Sequence, residues 1–494
     1  MNSPSILLII LFYFALLLLI SFIIGRKSTD NDAFFTGNRK SPWWIVSIGM
    51  VGASISGVSF VSVPGMVGNI QFTYMQTVLG FLVGYLVIAH VLLPLYYKLN
   101  LTSIYTYLGK RFGKYSYKTG ASFFLLSKTI GAAARLFIVA LILQKIVFDY
   151  WQIPFYLTVA GILVLIWIYT FRSGIKSIVW TDTLQTIIMI TALCMMVFEL
   201  MQKTQTGFGD FSKSFIDSDL TRIFVFDDWV SKQNFFKQFF SGIFIAIVMT
   251  GLDQDMMQKN LSCKSLPEAQ KNMYWYGFAF VPVNFIFLIL GFLILVFAAQ
   301  TGLQLPAKGD EILPFVAMNY FSTPVVILFI LGIIAAAFSS ADSALTALTT
   351  SFTIDILGIE EKNYAKGKKF SAKGVRLLVH ASITVLFIFI ILLFEKLNNK
   401  SIIDAIYVIV SYTYGPLLGL YSFGLFTTLK PMDKAVPFIA VLAPLLCFAI
   451  DNYTRSHLGY AFGYELLLMN GSLTFTGLLI TSKYGNKISR IRNQ

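Results

Sequence analysis

Oxygen is concentrated in one stretch of an otherwise apolar run: AAAFSSADSAL, residues 335–345, sets Ser339, Ser340, Asp342 and Ser343 within five positions. On a helix Ser339 and Ser343 are four apart, and Ser340–Ser343 and Ser339–Asp342 are three apart, so all four crowd one side. That side offers hydroxyl and carboxylate oxygens, the ligands hard cations prefer. Serines alone are ordinary glue between membrane helices and often bond back to their own helix. Asp342 shifts the balance, because a carboxylate at the bilayer centre costs about 2.5 to 3.5 kcal/mol on insertion scales and needs a partner or a task.

Three more charged groups stand in apolar surroundings. Asp182, in IKSIVWTDTLQT (175–186), either caps a helix start near the inner interface or presents oxygens together with Thr181 and Gln185. Arg135, in GAAARLFIVAL (131–141), lies deep in its run and needs an anion. An internal acid such as Asp253 and an anionic substrate are the two candidates. Asp253 belongs to MTGLDQDMMQKN (249–260), where Gly251 and two acids break an apolar run. A second break, GASISGVSFVSVPG (52–65), has Gly57, Pro64 and Gly65 interrupting a run lined by Ser54, Ser56, Ser59 and Ser62.

The elements that must position these groups are membrane helices. The 494 residues are 56% hydrophobic and 13% charged, too apolar for a soluble surface. Thirteen apolar runs approach the roughly 20 residues a spanning helix needs, near 5–24, 42–68, 73–97, 119–148, 154–171, 177–201, 236–254, 273–299, 322–353, 375–395, 401–427, 434–451 and 462–482. Threaded with the N-terminus outside and the C-terminus in the cytoplasm, they put the basic loops on one side. Arg26, Lys27, Arg39 and Lys40 fall there, as do Lys98, Lys110, Arg111, Lys114 and Lys118, then Arg172 and Lys176. Lys259, Lys264 and Lys271 follow, then Lys362, Lys366, Lys368, Lys369, Lys373 and Arg376, then Lys430, Lys434, Lys483, Lys487, Arg490 and Arg492. The net charge of +14 is therefore a topology signal rather than a nucleic-acid patch. Cys194, Cys263 and Cys447 have no metal or disulfide spacing, and His90, His380 and His457 stand beside no nucleophile or second ligand, so no enzyme motif appears.

The two broken runs, spans two and seven, are five apart. Irregular backbone is tolerated at membrane depth only where it is buried in protein or lines a cavity, and paired breaks in matching positions mark inverted-repeat transporters. The expected division is an accessory helix and inner loop at 1–41, a first five-helix repeat at 42–202, an outer loop at 203–235, an inverted second repeat at 236–427, and two accessory helices with a tail at 428–494.

The blocks AFFTGNR (33–39), TSIYTYLGKRFG (102–113), WTDTLQ (180–185), DQDMMQKNLSCKSLPEAQ (253–270), AAAFSSADSAL and YGPLLGLY (414–421) together resemble, in order and spacing, the sodium:solute symporters of the sodium/glucose, proline and sialic acid cotransporter type. The resemblance implies an all-α polytopic membrane protein with the leucine-transporter type of 5+5 inverted repeat and about 13 transmembrane helices. It implies a sodium site of Gly52, Ile55, Ala336, Ser339 and Ser340. In some members a second cation is held by further hydroxyls and an aspartate, here Ser339, Ser340, Ser343 and Asp182, with Asp342 where those members carry serine. Asp342 then either strengthens that site or replaces its sodium with a proton.

By the same resemblance Ser56, Ser59 and Arg135 match the residues that meet the substrate carboxylate in sialic acid carriers, and Asp253 joins them as a substrate-site candidate. A span-three glutamine of those carriers is replaced by an apolar residue near Val78, with Gln76 close by, and Ser59 stands where sugar-transporting members have glutamine. The expected function is sodium-coupled import of a small organic solute by alternating access, a sialic acid or other organic anion before a neutral sugar or an amino acid such as proline. A sodium-dependent sensor without net transport is the alternative from another class. A tenfold sodium gradient supplies about 1.4 kcal/mol per ion and 100 mV about 2.3 kcal/mol per charge, enough for one ion to concentrate a neutral solute roughly 500-fold. The expected partners are Na+ as coupling ion, the solute and membrane lipid, with no other cofactor and no nucleic acid, in a monomer of the bacterial inner membrane.

Overall fold

The computed structural model describes residues 3–26, 30–171, 174–205, 207–359, 371–397 and 400–483. Lys27, Arg172, Lys362, Lys366, Lys368, Lys369, Lys487, Arg490 and Arg492 of the topology count lie outside the described residues. Each of the thirteen apolar runs carries helix. Among the described residues, by length and composition eight helices qualify as membrane-crossing, and up to ten when each of two bent pairs is taken as one span. Phe155–Thr170 and Leu466–Ile480 are shorter, and the helix Lys400–Phe426 matches the eleventh run. Spans are numbered below by the order of the runs.

Span two consists of Trp43–Ser54 and Gly57–Gly65, bent by 62°. Its break falls at Ile55 and Ser56, not at Pro64 and Gly65, which sit at the far end of the second half. Ile55 leaves the helical conformation (φ −89°, ψ 93°), and Ser56 restarts the helix as a cap whose hydroxyl accepts from the Ser59 N–H at 3.2 Å. Two glycines explain why the bend is pressed into the protein. A side chain at Gly52 would collide with Thr186 of span six, and one at Gly57 would meet Val139 of span four at 2.6 Å and Ala337 of span nine at 3.5 Å.

Span seven is bent almost equally, 66°, between Phe235–Gly251 and Gln254–Leu261. Here the sequence reading needs correcting. The acids do not lead into an inner loop: Asp253 caps a second half-helix by accepting from the Asp255 N–H at 2.9 Å, and all eight residues of that half are buried. Lys259, counted among the inner-loop charges, is 1% exposed. Arg376 is likewise buried, its guanidinium 4.3 Å above the Phe34 ring and donating to the Asp30 and Phe171 carbonyls at 3.4 Å.

Span nine, Thr323–Ile356, runs through the middle of the bundle, with residues 332–351 all buried. Span six, Ile175–Lys203, packs along it, and both halves of span two touch it. Alanines at 335–337 permit that close approach. At one end the Ser41 N–H bonds the Ser262 carbonyl at 3.0 Å, tying the start of span two to the end of span seven. At the other, Gln76 donates to the Gln233 carbonyl at 2.9 Å and accepts from the Val225 N–H at 3.1 Å. Gln76 is thus spent on anchoring the 203–235 segment.

Candidate functional site

The break in span two opens on a cavity of about 210 Å³. Ser56 and Ser59 line it, their hydroxyls sharing a 3.1 Å hydrogen bond, and Ser340 of span nine joins them. A wall of aromatic rings, Tyr74, Phe81, Tyr85, Tyr276 and Phe280, closes one side. Its hydroxyls are chained: Tyr276 donates to Tyr85 at 2.9 Å and lies 2.7 Å from Ser54 Oγ. Arg135, Asp253, Asp255, Lys128 and Tyr414 complete the lining. The four substrate candidates, Ser56, Ser59, Arg135 and Asp253, therefore border one space.

Arg135 and Asp253 do not pair with each other. Asp253 receives Lys128 Nζ at 3.1 Å and the Tyr414 hydroxyl at 3.1 Å, while Lys128 also lies 2.7 Å from Asp255. These four residues join spans four, seven and eleven in a buried network, and burial makes such charges keep their partners. Arg135 bonds its own helix through Nε to the Gly131 carbonyl at 3.1 Å. Among the described residues no acid lies within ion-pair distance of its guanidinium, which borders the cavity half-buried. Of the two anions weighed for Arg135, the internal Asp253 is already committed elsewhere.

The cation candidates divide by span. Gly52 and Ile55 are at the break, Ala336, Ser339 and Ser340 on the buried stretch of span nine. All five offer oxygen, through a carbonyl or a hydroxyl, which suits a hard cation. Ser340 donates to the Ala337 carbonyl at 3.0 Å, so its hydroxyl keeps lone pairs free.

Asp182 is neither a helix cap nor near a surface. It is fully buried in span six, accepts from Ser339 Oγ at 2.7 Å, and lies 2.8 Å from the ammonium of Lys259. Ser343 donates to the Ser339 carbonyl at 2.7 Å. Asp342 accepts from the Tyr169 hydroxyl of span five at 2.8 Å through one of its two oxygens. The sequence thus identified Asp182, Ser339 and Ser343 as neighbours but missed Lys259, Lys128, Asp255 and Tyr414. A signal was present in DQDMMQKN: three charges in seven residues directly after a helix break read equally as loop or as a buried polar half-helix.

Comparison with known proteins bears on this geometry. Over 492 residues the chain is 25% identical to the sodium/sialic acid symporter NanT of Aliivibrio fischeri, covering 95% of this chain and 91% of the relative. It is 24% identical over 420 residues to the human sodium-coupled monocarboxylate transporter 2, covering 81% and 64%. The solved structure of a Na+-coupled sialic acid symporter, substrate-bound and outward-open, superposes with a TM-score of 0.80 at 19% identity over 97% of this chain and 99% of that one. A nucleobase-cation-symport-1 family transporter in a closed conformation gives 0.54 at 12% identity, covering 92% and 97%. These likenesses show the fold, the leucine-transporter type. The sequence profile of the sodium:solute symporter family matches residues 34–430, which is most of the chain, and the chain belongs to that family.

Proposed function

We propose that this protein imports a small carboxylate-bearing solute together with Na+ by alternating access. The observation that carries the proposal is Arg135: a permanent cation bordering a central cavity, with no acid of the described chain in ion-pair reach. A carboxylate arriving in that cavity gains a bidentate partner, and Ser56 and Ser59 add hydroxyl donors beside it. The names of the relatives agree in class, sialic acid and monocarboxylates both being organic anions. The cavity, about 210 Å³, is below the roughly 300 to 1,000 Å³ of drug-sized sites and suits a small solute.

In this reading Na+ enters between the break and span nine, held by the carbonyls of Gly52, Ile55 and Ala336 and the hydroxyls of Ser339 and Ser340. Its binding fastens span two against span nine and completes the cavity wall before the solute is carried inward. Asp253, which borders the cavity, is held by Lys128 and Tyr414. The two five-helix repeats at 42–202 and 236–427, an outside N-terminus, a cytoplasmic C-terminus and a lipid-surrounded monomer belong to the same proposal.

The test is uptake of radiolabelled sialic acid, lactate, glucose and proline into proteoliposomes under an imposed inward sodium gradient. Uptake of one of the two acids, abolished when the gradient is removed, is expected. Sodium-driven uptake of glucose or proline with neither acid transported would overturn the carboxylate assignment, and uptake indifferent to sodium would overturn the coupling.

A further inference from the structure

The oxygen cluster that the spacing of span nine marks for a cation already contains one. Asp182 has two carboxylate oxygens: one accepts the Ser339 hydroxyl at 2.7 Å, and the other lies 2.8 Å from Lys259 Nζ. Lys259 and Asp182 are 1% and 0% exposed. A second acid, Asp255, sits one helical turn before Lys259 with its oxygen 4.0 Å from the ammonium.

We propose that the Lys259 ammonium is a built-in cation occupying the Asp182–Ser339–Ser343 cluster, so that this carrier binds one mobile Na+ rather than two. The inference rests on the sodium-symport reading above and specifies its stoichiometry. The resemblance would place a second sodium on these residues, and the donor set does not fit it. The strongest ligand, the Asp182 carboxylate, is committed to a hydroxyl on one oxygen and a cation on the other. Ser343 has turned its proton to the Ser339 carbonyl, and one Asp342 oxygen is occupied by the Tyr169 hydroxyl. A sodium ion entering the cluster would meet a like charge inside the protein, in a medium where that repulsion is far stronger than in solvent.

Lys259 is also poorly able to step aside. Its side chain is enclosed by a half-helix buried at every position, and withdrawing it leaves two unpaired charges inside the protein. A tethered ammonium has the charge of Na+ and three donors, but it is attached to span seven and does not cross the membrane. It satisfies Asp182 throughout the cycle without adding a coupled ion. The Ser340 hydroxyl, which lines the cavity instead, is left for the mobile Na+.

The experiment is equilibrium binding of radioactive Na+ to the purified full-length protein in detergent, without solute. One ion per chain is expected for the wild type, and also for Lys259→Arg, which keeps the charge. Lys259→Met should raise the count to two, because Asp182 is then an unpaired carboxylate in an oxygen cluster. Adding Asp182→Asn to Lys259→Met should return the count to one. Two ions on the wild type would overturn the proposal and leave sodium symport standing, whereas no bound ion would overturn the sodium-symport reading itself. A folded Lys259→Met that still binds one ion would show that the ammonium excludes nothing. If Lys259→Met does not fold, the wild-type and Lys259→Arg counts still decide the question.

Discussion

The two broken spans bend by nearly the same angle, 62° and 66°, and compensate the break in opposite ways. Span two breaks among neutral residues: serines cap the restart, and the freed backbone faces a cavity bordered by an arginine with no acid of the described residues in ion-pair reach. Span seven breaks among charges, and its second half is closed by Lys128 and Tyr414 on one side and by Asp182 on the other. In the proposed function the same bend is thus left for ligands to complete in span two, whereas in span seven it is completed internally. Pseudo-symmetric position does not dictate chemical role.

Breaking the internal joint should have the largest effect. Asp182→Ala leaves Lys259 buried against a single acid 4.0 Å away and should lower stability by about 3 to 5 kcal/mol, the usual loss when one partner of a buried ion pair is removed. Thermal unfolding in detergent, followed by tryptophan fluorescence, measures it. If Asp182→Ala melts with the wild type, the joint carries no load and the contrast between the breaks fails.

Arg135→Ala probes the open side. Because no acid among the described residues is paired with it, stability should stay within about 0.5 kcal/mol. Affinity for the carboxylate solute should fall by about 2 kcal/mol or more, roughly thirtyfold. A melting temperature that drops as far as in Asp182→Ala would mean that Arg135 is structural after all.

Gly57→Val tests whether the break must press on span nine. The added side chain meets Val139 and Ala337, and should cost about 1 to 3 kcal/mol by overpacking while weakening sodium dependence of uptake. The smallest effect is expected for Ser56→Ala, which removes the cap on the second half of span two at about 1 kcal/mol. Sodium titration of uptake separates the two, since Ser56 lines the cavity while Gly57 sets how closely span two packs between spans four and nine.

Periodic apolar runs made the helices legible in the sequence, because lipid demands continuous apolarity and nothing else in the chain competes with it. Both breaks were legible for the same reason, although Pro64 misled: near the end of a short half-helix its missing N–H disturbs little, and the bend belongs to Ile55 and Ser56. The neighbourhood of Asp182, Ser339 and Ser343 followed from helical spacing and the resemblance. Lys259, Lys128 and Arg376 were not legible, because a charge beside an apolar run looks the same whether it faces water or a partner far away in sequence. Gln76 is a further case: its partners Val225 and Gln233 lie some 150 residues later, and no local spacing points to them.

The half-helix Gln254–Leu261 constrains the order in which the protein is made. Asp255 and Lys259 would each be expensive in bare lipid, on the order of 2.5 to 3.5 kcal/mol at the bilayer centre, so this segment has no stable place in the membrane by itself. Its partners Lys128 and Asp182 lie in spans four and six, and both leave the ribosome before it does. The first half of the chain therefore acts as the receptor into which the second half is inserted, and a chain synthesised from span seven onward would strand these charges at the translocon.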